Sequence, residues 1–137
     1  MHAATHDPSV VLTMAGSALA NTPPEQLLAD LQAGIDELGK RVPDAKIGVV
    51  GFCFGGGMTW NLLQAGEQRM AAAVPFYGPA PENPDFSGAK AAGLTYEIRT
   101  FAGAGHAFFN DTGPRYNAEA AKQAWQEVLD WFNQHLA

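Results

Sequence analysis

The segment Ile47-Gly48-Val49-Val50-Gly51-Phe52-Cys53-Phe54-Gly55-Gly56-Gly57 constrains this chain more than any other. Its first half is an apolar, partly β-branched run that reads as a buried strand. The glycine-rich half that follows opens a helix. Between them, Cys53 has Gly51 two places before it and Gly55 two places after. A sharp strand-to-helix turn that displays a nucleophile leaves no room for larger side chains at those two places. The same turn puts the Cys53 thiol at a helix N-terminus, where the partial positive charge favours thiolate. One segment therefore specifies a strand–turn–helix unit and a candidate nucleophile.

The rest of the chain supplies the same kinds of element. Thr22-Pro23-Pro24-Glu25 has the form of a helix start, with Thr22 as N-cap, Pro23 at the first helical position and Glu25 as capping-box partner. Leu27, Leu28, Leu31, Ile35 and Leu38 recur at helical spacing, and Gly39 is a stop. Strands are expected over residues 46–51, 71–77 and 94–101, with helices over 55 to about 64 and from about 117 to 135. The last helix places Ala121, Trp125, Val128, Leu129, Phe132 and Leu136 on one face. Trp60, Trp125 and Trp131 are assigned to the core on spacing. Residues 79–88 contain three prolines and read as loop. Alternating strands and helices predict an α/β, three-layer sandwich with a short, mainly parallel sheet over residues 22–137. Residues 1–21 form a separate N-terminal segment; Val10-Val11-Leu12 within it suits a strand or a helix.

Composition excludes several functions. A length of 137 residues suits one domain, and 47% apolar residues can fill its core. A net charge of −6 argues against nucleic acid and anionic membrane surfaces. No apolar run approaches the roughly 20 residues of a membrane span. The N-terminus lacks the basic start and apolar centre of a signal peptide, and a lone thiol suits a reducing cytoplasm, so a cytoplasmic location is expected. The single cysteine excludes an internal disulfide framework and a multi-Cys zinc site.

His106 is the second chemical candidate. It lies in the loop Gly103-Ala104-Gly105-His106, directly after an expected strand. In parallel α/β sheets ligands bind outside the carboxyl ends of strands, and Cys53 sits at that same edge. A Cys and a His on converging loops are what a thiol nucleophile with a general base requires. The blander readings are a buried structural Cys and a surface His. The N–H of Phe54, the residue after the nucleophile, points to where an oxyanion would form. Tyr77 and Phe108 either line the pocket or pack the neighbouring loop. Nucleotide fingerprints fail, because no G-x-G-x-x-G pattern and no Gly-Lys-Ser/Thr is present.

With these residues in view, the chain resembles the dienelactone hydrolase family of α/β-hydrolases. The likeness is carried by Gly51-Phe52-Cys53-Phe54-Gly55-Gly56, by Gly103-Ala104-Gly105-His106-Ala107-Phe108, by Ala73-Val74-Pro75-Phe76-Tyr77-Gly78, and by the Ala-rich last helix with Trp125 and Trp131-Phe132. It implies Cys53 as nucleophile, His106 as base, and hydrolysis of small esters or lactones without cofactor or metal. The chain departs from the family pattern by being shorter. The family's first strands, upstream of the helix at Thr22, supply a second oxyanion donor and an acid that modulates the Cys. A family strand ending in the triad Asp, and the helix after it, belong between Ser87 and Ala91. Asn110 and Asp111 stand where the family has a carboxylate-binding Arg, which points away from dienelactone itself. The chain thus reads as a truncated member. Asp85 and Asp111 are the candidate substitute acids.

Two further expectations follow. Without upstream strands, Ile47, Val49 and Val50 lie on an apolar sheet edge, a template for a homodimer or larger assembly. Val10 to Met14 would be the alternative cover for that edge. The rival to the esterase reading is a catalytically impaired remnant acting as a binding or interaction module. A thiol redox protein is a third, for which a resolving Cys is normally expected.

Overall fold

The computed structural model describes residues 18–19, 21–87, 95, 97 and 99–137. The first long helix, α1, is Pro24–Arg41. Proline at its first position lacks an N–H that would have no partner there, and Glu25 and Lys40–Arg41 complement the helix dipole at the two ends. The expected cap is corrected. Pro23, not Thr22, is the N-cap, and no side chain caps it. Thr22 instead donates its hydroxyl to the Ala18 carbonyl at 2.8 Å, closing the preceding helical turn. Gly39 does not stop the helix, which continues through Arg41 to Val42.

Strand β1, Ile47–Phe52, leads into α2, Phe54–Gln64, and then into β2, Met70–Phe76. β1 and β2 pair in parallel from Gly48↔Ala72 to Phe52↔Phe76, so α2 is the crossover of a βαβ unit. Among the described residues this is the whole sheet. A register irregularity between Ile47 and Gly48 has a packing consequence. A one-residue slip turns side chains to the opposite face. Met70 accordingly packs with Ile35 and Leu62 on the α1–α2 side, whereas Val74 and Phe76 pack on the opposite side. The expected third strand, 94–101, lies partly outside the described residues; Thr95, Glu97, Arg99, Thr100 and Phe101 are not in a strand.

The last helix, α3, is Ala118–Leu136, capped by the Asn117 side chain, which accepts from the Ala120 N–H at 3.1 Å. Its buried residues are Ala120, Ala121, Ala124 and Val128. Small side chains let the helix lie close to the sheet, and Gly48 reciprocates: a Cβ there would sit 2.8 Å from Leu136 Cδ1. Of the expected stripe, Ala121 and Val128 are buried and Phe132 packs on the core, but the buried face is shifted away from Trp125 and Leu129. These two are 45% and 39% exposed, and Trp131 turns partly inward instead. None of the three tryptophans is a core residue; Trp60 is half-buried against Phe86. The layers are thus α3, the two-stranded sheet, and α1 with α2, a reduced three-layer α/β sandwich. No helix of the described residues is long and apolar enough to cross a membrane.

Candidate active site

Cys53 occupies the single residue between β1 and α2, with φ 52° and ψ −116°. Such a conformation costs a non-glycine residue about 1–3 kcal/mol and persists only where its surroundings enforce it. Here they do. The Cys53 N–H extends the sheet ladder by donating to the Phe76 carbonyl at 3.0 Å. Its carbonyl accepts from the Gly57 N–H at 3.1 Å. A Cβ on Gly78 would lie 2.6 Å from that carbonyl oxygen and closer still to the backbone of Gly56 and Gly57. A Cβ on Gly51 would collide with the Gly55 carbonyl. The sequence argument for Gly55 is corrected, because a Cβ there would meet nothing within 4 Å. The crowding falls on Gly51, Gly56 and Gly78, one on each of the three segments that meet at the turn.

His106 arrives from the far side of the core. Its loop is a series of turns, with the Phe108 N–H donating to the Gly105 carbonyl at 3.2 Å and the Asn110 N–H to the Ala107 carbonyl at 3.1 Å. Ala107 has φ 65°. Phe108 is only 6% exposed and packs with Phe76, Ala121 and Ala124, so it anchors the loop. This geometry brings His106 Nε2 to 3.2 Å from Cys53 Sγ, across 53 residues of sequence. Both side chains are exposed. Phe54 is the first residue of α2, where a backbone N–H has no acceptor within the helix.

The other expected site residues divide. Tyr77, at φ 34°, meets the His106 ring in an edge-to-face arrangement with centroids 5.2 Å apart. Burial first, and then the charge of Cys53, hold its phenol above the ordinary range. Phe108 is a core residue that also borders a cavity of about 1330 Å³ along the outer edge of β2. Tyr77 and His106 line this cavity too, but Cys53 does not. It is a trough beside the sheet, larger than the roughly 300–1,000 Å³ of a small-molecule pocket. The structure brings neither substitute acid to His106. Asp85 is exposed and accepts the Ser87 N–H at 2.9 Å, a bond that keeps its carboxyl below the usual range. Asp111 is exposed beside Tyr116 and Lys122. Among the described residues, no carboxylate is hydrogen-bonded to His106, and no group of three or more His, Cys, Asp or Glu could hold a metal ion.

Sequence reasoning missed Gly78 and Ala107. Gly78 entered only as part of a motif carrying the resemblance; the available signal was a glycine directly after an aromatic residue at a strand end. Nothing in the sequence marks Ala107 as left-handed.

The comparisons with known proteins bear on this arrangement. The model of the dienelactone hydrolase family matches residues 3–90 and 86–136, nearly the whole chain in two pieces. The chain belongs to the dienelactone hydrolase family. A Methylorubrum extorquens relative that carries the name carboxymethylenebutenolidase is 30% identical over 157 aligned positions, covering 85% of this chain and 53% of the relative. A Salmonella typhi relative of the same name is 30% identical over 161 positions, covering 90% of this chain and 59% of the relative. The crystal structure of a Klebsiella pneumoniae protein named as a dienelactone hydrolase superimposes with a TM-score of 0.66 at 28% identity, covering 85% of this chain and 64% of that one. The α/β-hydrolase architecture is therefore that of the family. The chain spans little more than half the length of these curated relatives. Alignments of 157 and 161 positions exceed its 137 residues, so they cross positions where the relatives have residues and this chain has none.

Proposed function

We propose that this chain hydrolyses small, activated carboxylic esters or lactones through a thioester on Cys53, with His106 as base and no cofactor. The observation that carries this reading is the 3.2 Å approach of His106 Nε2 to Cys53 Sγ at a strained strand–helix turn. His106 removes the thiol proton, and Sγ attacks the substrate carbonyl. The Phe54 N–H receives the developing oxyanion. Collapse expels the alcohol, which takes its proton from the His106 imidazolium. A water molecule, deprotonated by His106, then releases the acid. Family membership and the names of the relatives support the hydrolase class. An exposed lone thiol suits a reducing, cytoplasmic setting.

Two features hold the rate down. His106 lacks a carboxylate partner among the described residues, and Phe54 supplies the one oxyanion donor that the turn itself provides. Good leaving groups are therefore required. The missing carboxylate also favours a second reading, an impaired hydrolase that serves as a binding module. Turnover of a chromogenic short-chain ester separates the two. The hydrolase reading expects measurable turnover, lost in Cys53→Ser and reduced in His106→Ala. No turnover above that of Cys53→Ser supports the binding module.

A further inference from the structure

Among the described residues, the His106 side chain meets the Cys53 sulfur and the ring of Tyr77. The loop backbone fixes where the imidazole starts, but not the rotation of its ring. In a complete triad a carboxylate supplies that constraint and stabilises the charged ring. Here an aromatic ring stands beside the imidazole, 5.2 Å away and inclined at 64°. Edge-to-face pairs of this kind are favourable at 4.5–7 Å. A cation is attracted to an aromatic ring when it lies over the ring face, within about 6 Å of the centroid.

The Tyr77 ring is itself held. It packs edge-on against Phe108 at 5.6 Å and lies 6.1 Å from both Phe52 and Phe76. Its backbone is at φ 34°, an uncommon conformation for a bulky residue. The next residue, Gly78, seats closely under the α2 N-terminus, where a Cβ would collide with the backbone of Gly56 and Gly57. Three residues with left-handed φ, Cys53, Tyr77 and Ala107, surround this contact, and strain of that kind gathers at functional sites.

We infer that Tyr77 is a positioning residue, whose ring holds the His106 imidazole with Nε2 on the Cys53 sulfur in place of the usual carboxylate. The inference rests on the Cys53–His106 pairing proposed above. It concerns the ring and not the hydroxyl, which distinguishes it from substrate binding through the phenol.

The test uses the full chain with ¹³C-labelled histidine, and His106→Ala assigns the His106 signal. The parent is expected to show a nuclear Overhauser contact between the Tyr77 ring and the His106 ring protons. Tyr77→Leu is expected to move the His106 Cε1–H resonance and to slow iodoacetamide alkylation of Cys53 by about 2- to 5-fold. Tyr77→Phe is expected to restore both. A residue that only packs the core would leave the His106 resonance in place. Absence of the contact in the parent overturns the inference, even if Tyr77→Leu does not fold. An unmoved His106 signal in folded Tyr77→Leu also overturns it. So does an unchanged alkylation rate in that variant while His106→Ala slows the reaction. If His106→Ala itself leaves alkylation unchanged, the Cys–His pairing fails instead, and the nuclear Overhauser contact still decides where the Tyr77 ring lies.

Discussion

Gly51 and Gly55 flank Cys53 symmetrically in sequence, yet the structure gives them different roles, and alanine at each tests the difference. A Cβ at Gly51 would fall against the carbonyl carbon and oxygen of Gly55, and 2.5 Å from Thr59 Oγ1. The first two are backbone, so relief requires the start of α2 to move. That movement also disturbs the Thr59 hydroxyl, which is 2% exposed and donates to the Gly55 carbonyl at 2.9 Å. Overpacking costs about 1–3 kcal/mol, and a weakened buried hydrogen bond adds about 1 kcal/mol. Gly51→Ala should therefore lose about 2–4 kcal/mol. With an m-value of about 1–3 kcal/mol/M, a 3 kcal/mol loss lowers the urea midpoint by about 1–3 M. The same shift carries Cys53 away from His106 and slows iodoacetamide alkylation. Gly55→Ala meets nothing within 4 Å and lies in the first turn of α2. It should be neutral or stabilising by up to about 1 kcal/mol, because alanine restricts the unfolded chain. Urea unfolding followed by tryptophan fluorescence measures both variants. Equal losses for the two, or none for Gly51→Ala, would refute the assignment of the crowding to Gly51.

Three other outcomes are expected. Asp85→Asn and Asp111→Asn should leave ester turnover within about twofold of the parent, far from the roughly 10⁴-fold loss when a triad acid is replaced; a large loss in either would put that carboxylate on His106. Leu62, 1% exposed beneath α1, should cost about 2–5 kcal/mol on change to alanine in the same urea assay, and a loss under 1 kcal/mol would mean that the α1–α2 face is not a packed core. Light scattering should give a mass above that of the 14.5 kDa monomer, because the outer edge of β1 is unpaired among the described residues and Val50 on it is 39% exposed, although Ile47 and Val49, expected on that edge, pack against α1 and α2 instead; a monomer at micromolar concentration would contradict pairing through this edge.

The elements legible in the sequence were those specified by a few adjacent residues. The strand–Cys–helix turn is such a pattern, and β1, α2 and β2 lie within one residue of where the sequence places them. Thr22 illustrates the opposite case. It satisfies a capping rule, but a preceding helical turn competes for its hydroxyl. Trp125 and Leu129 match a helical stripe, yet the small residues Ala120, Ala121 and Ala124 allow the closest approach and set the buried face. Periodicity carries no information on side-chain size, and so placed Ala121 and Val128 correctly but could not set how far the buried face turns away from Trp125 and Leu129. The pairing of Cys53 with His106 was legible because both follow expected strands at one sheet edge. The Tyr77 ring on His106 was not, since it depends on a left-handed backbone at Tyr77 beside the crowded Gly78, which no local pattern marks. The position of Asp85 was equally hidden, because the Ser87 N–H that captures its carboxylate lies two residues away and leaves no pattern.

The most direct test of the Cys53–His106 account is trapping of the acyl-enzyme. The full chain is mixed with p-nitrophenyl acetate, quenched in acid at short times and analysed by peptide mass spectrometry. The account predicts one acetyl group on the peptide containing Cys53, absent in Cys53→Ala and formed more slowly in His106→Ala. Acetylation confined to lysines or the N-terminus, or a Cys53 adduct that forms as fast without His106, would contradict it.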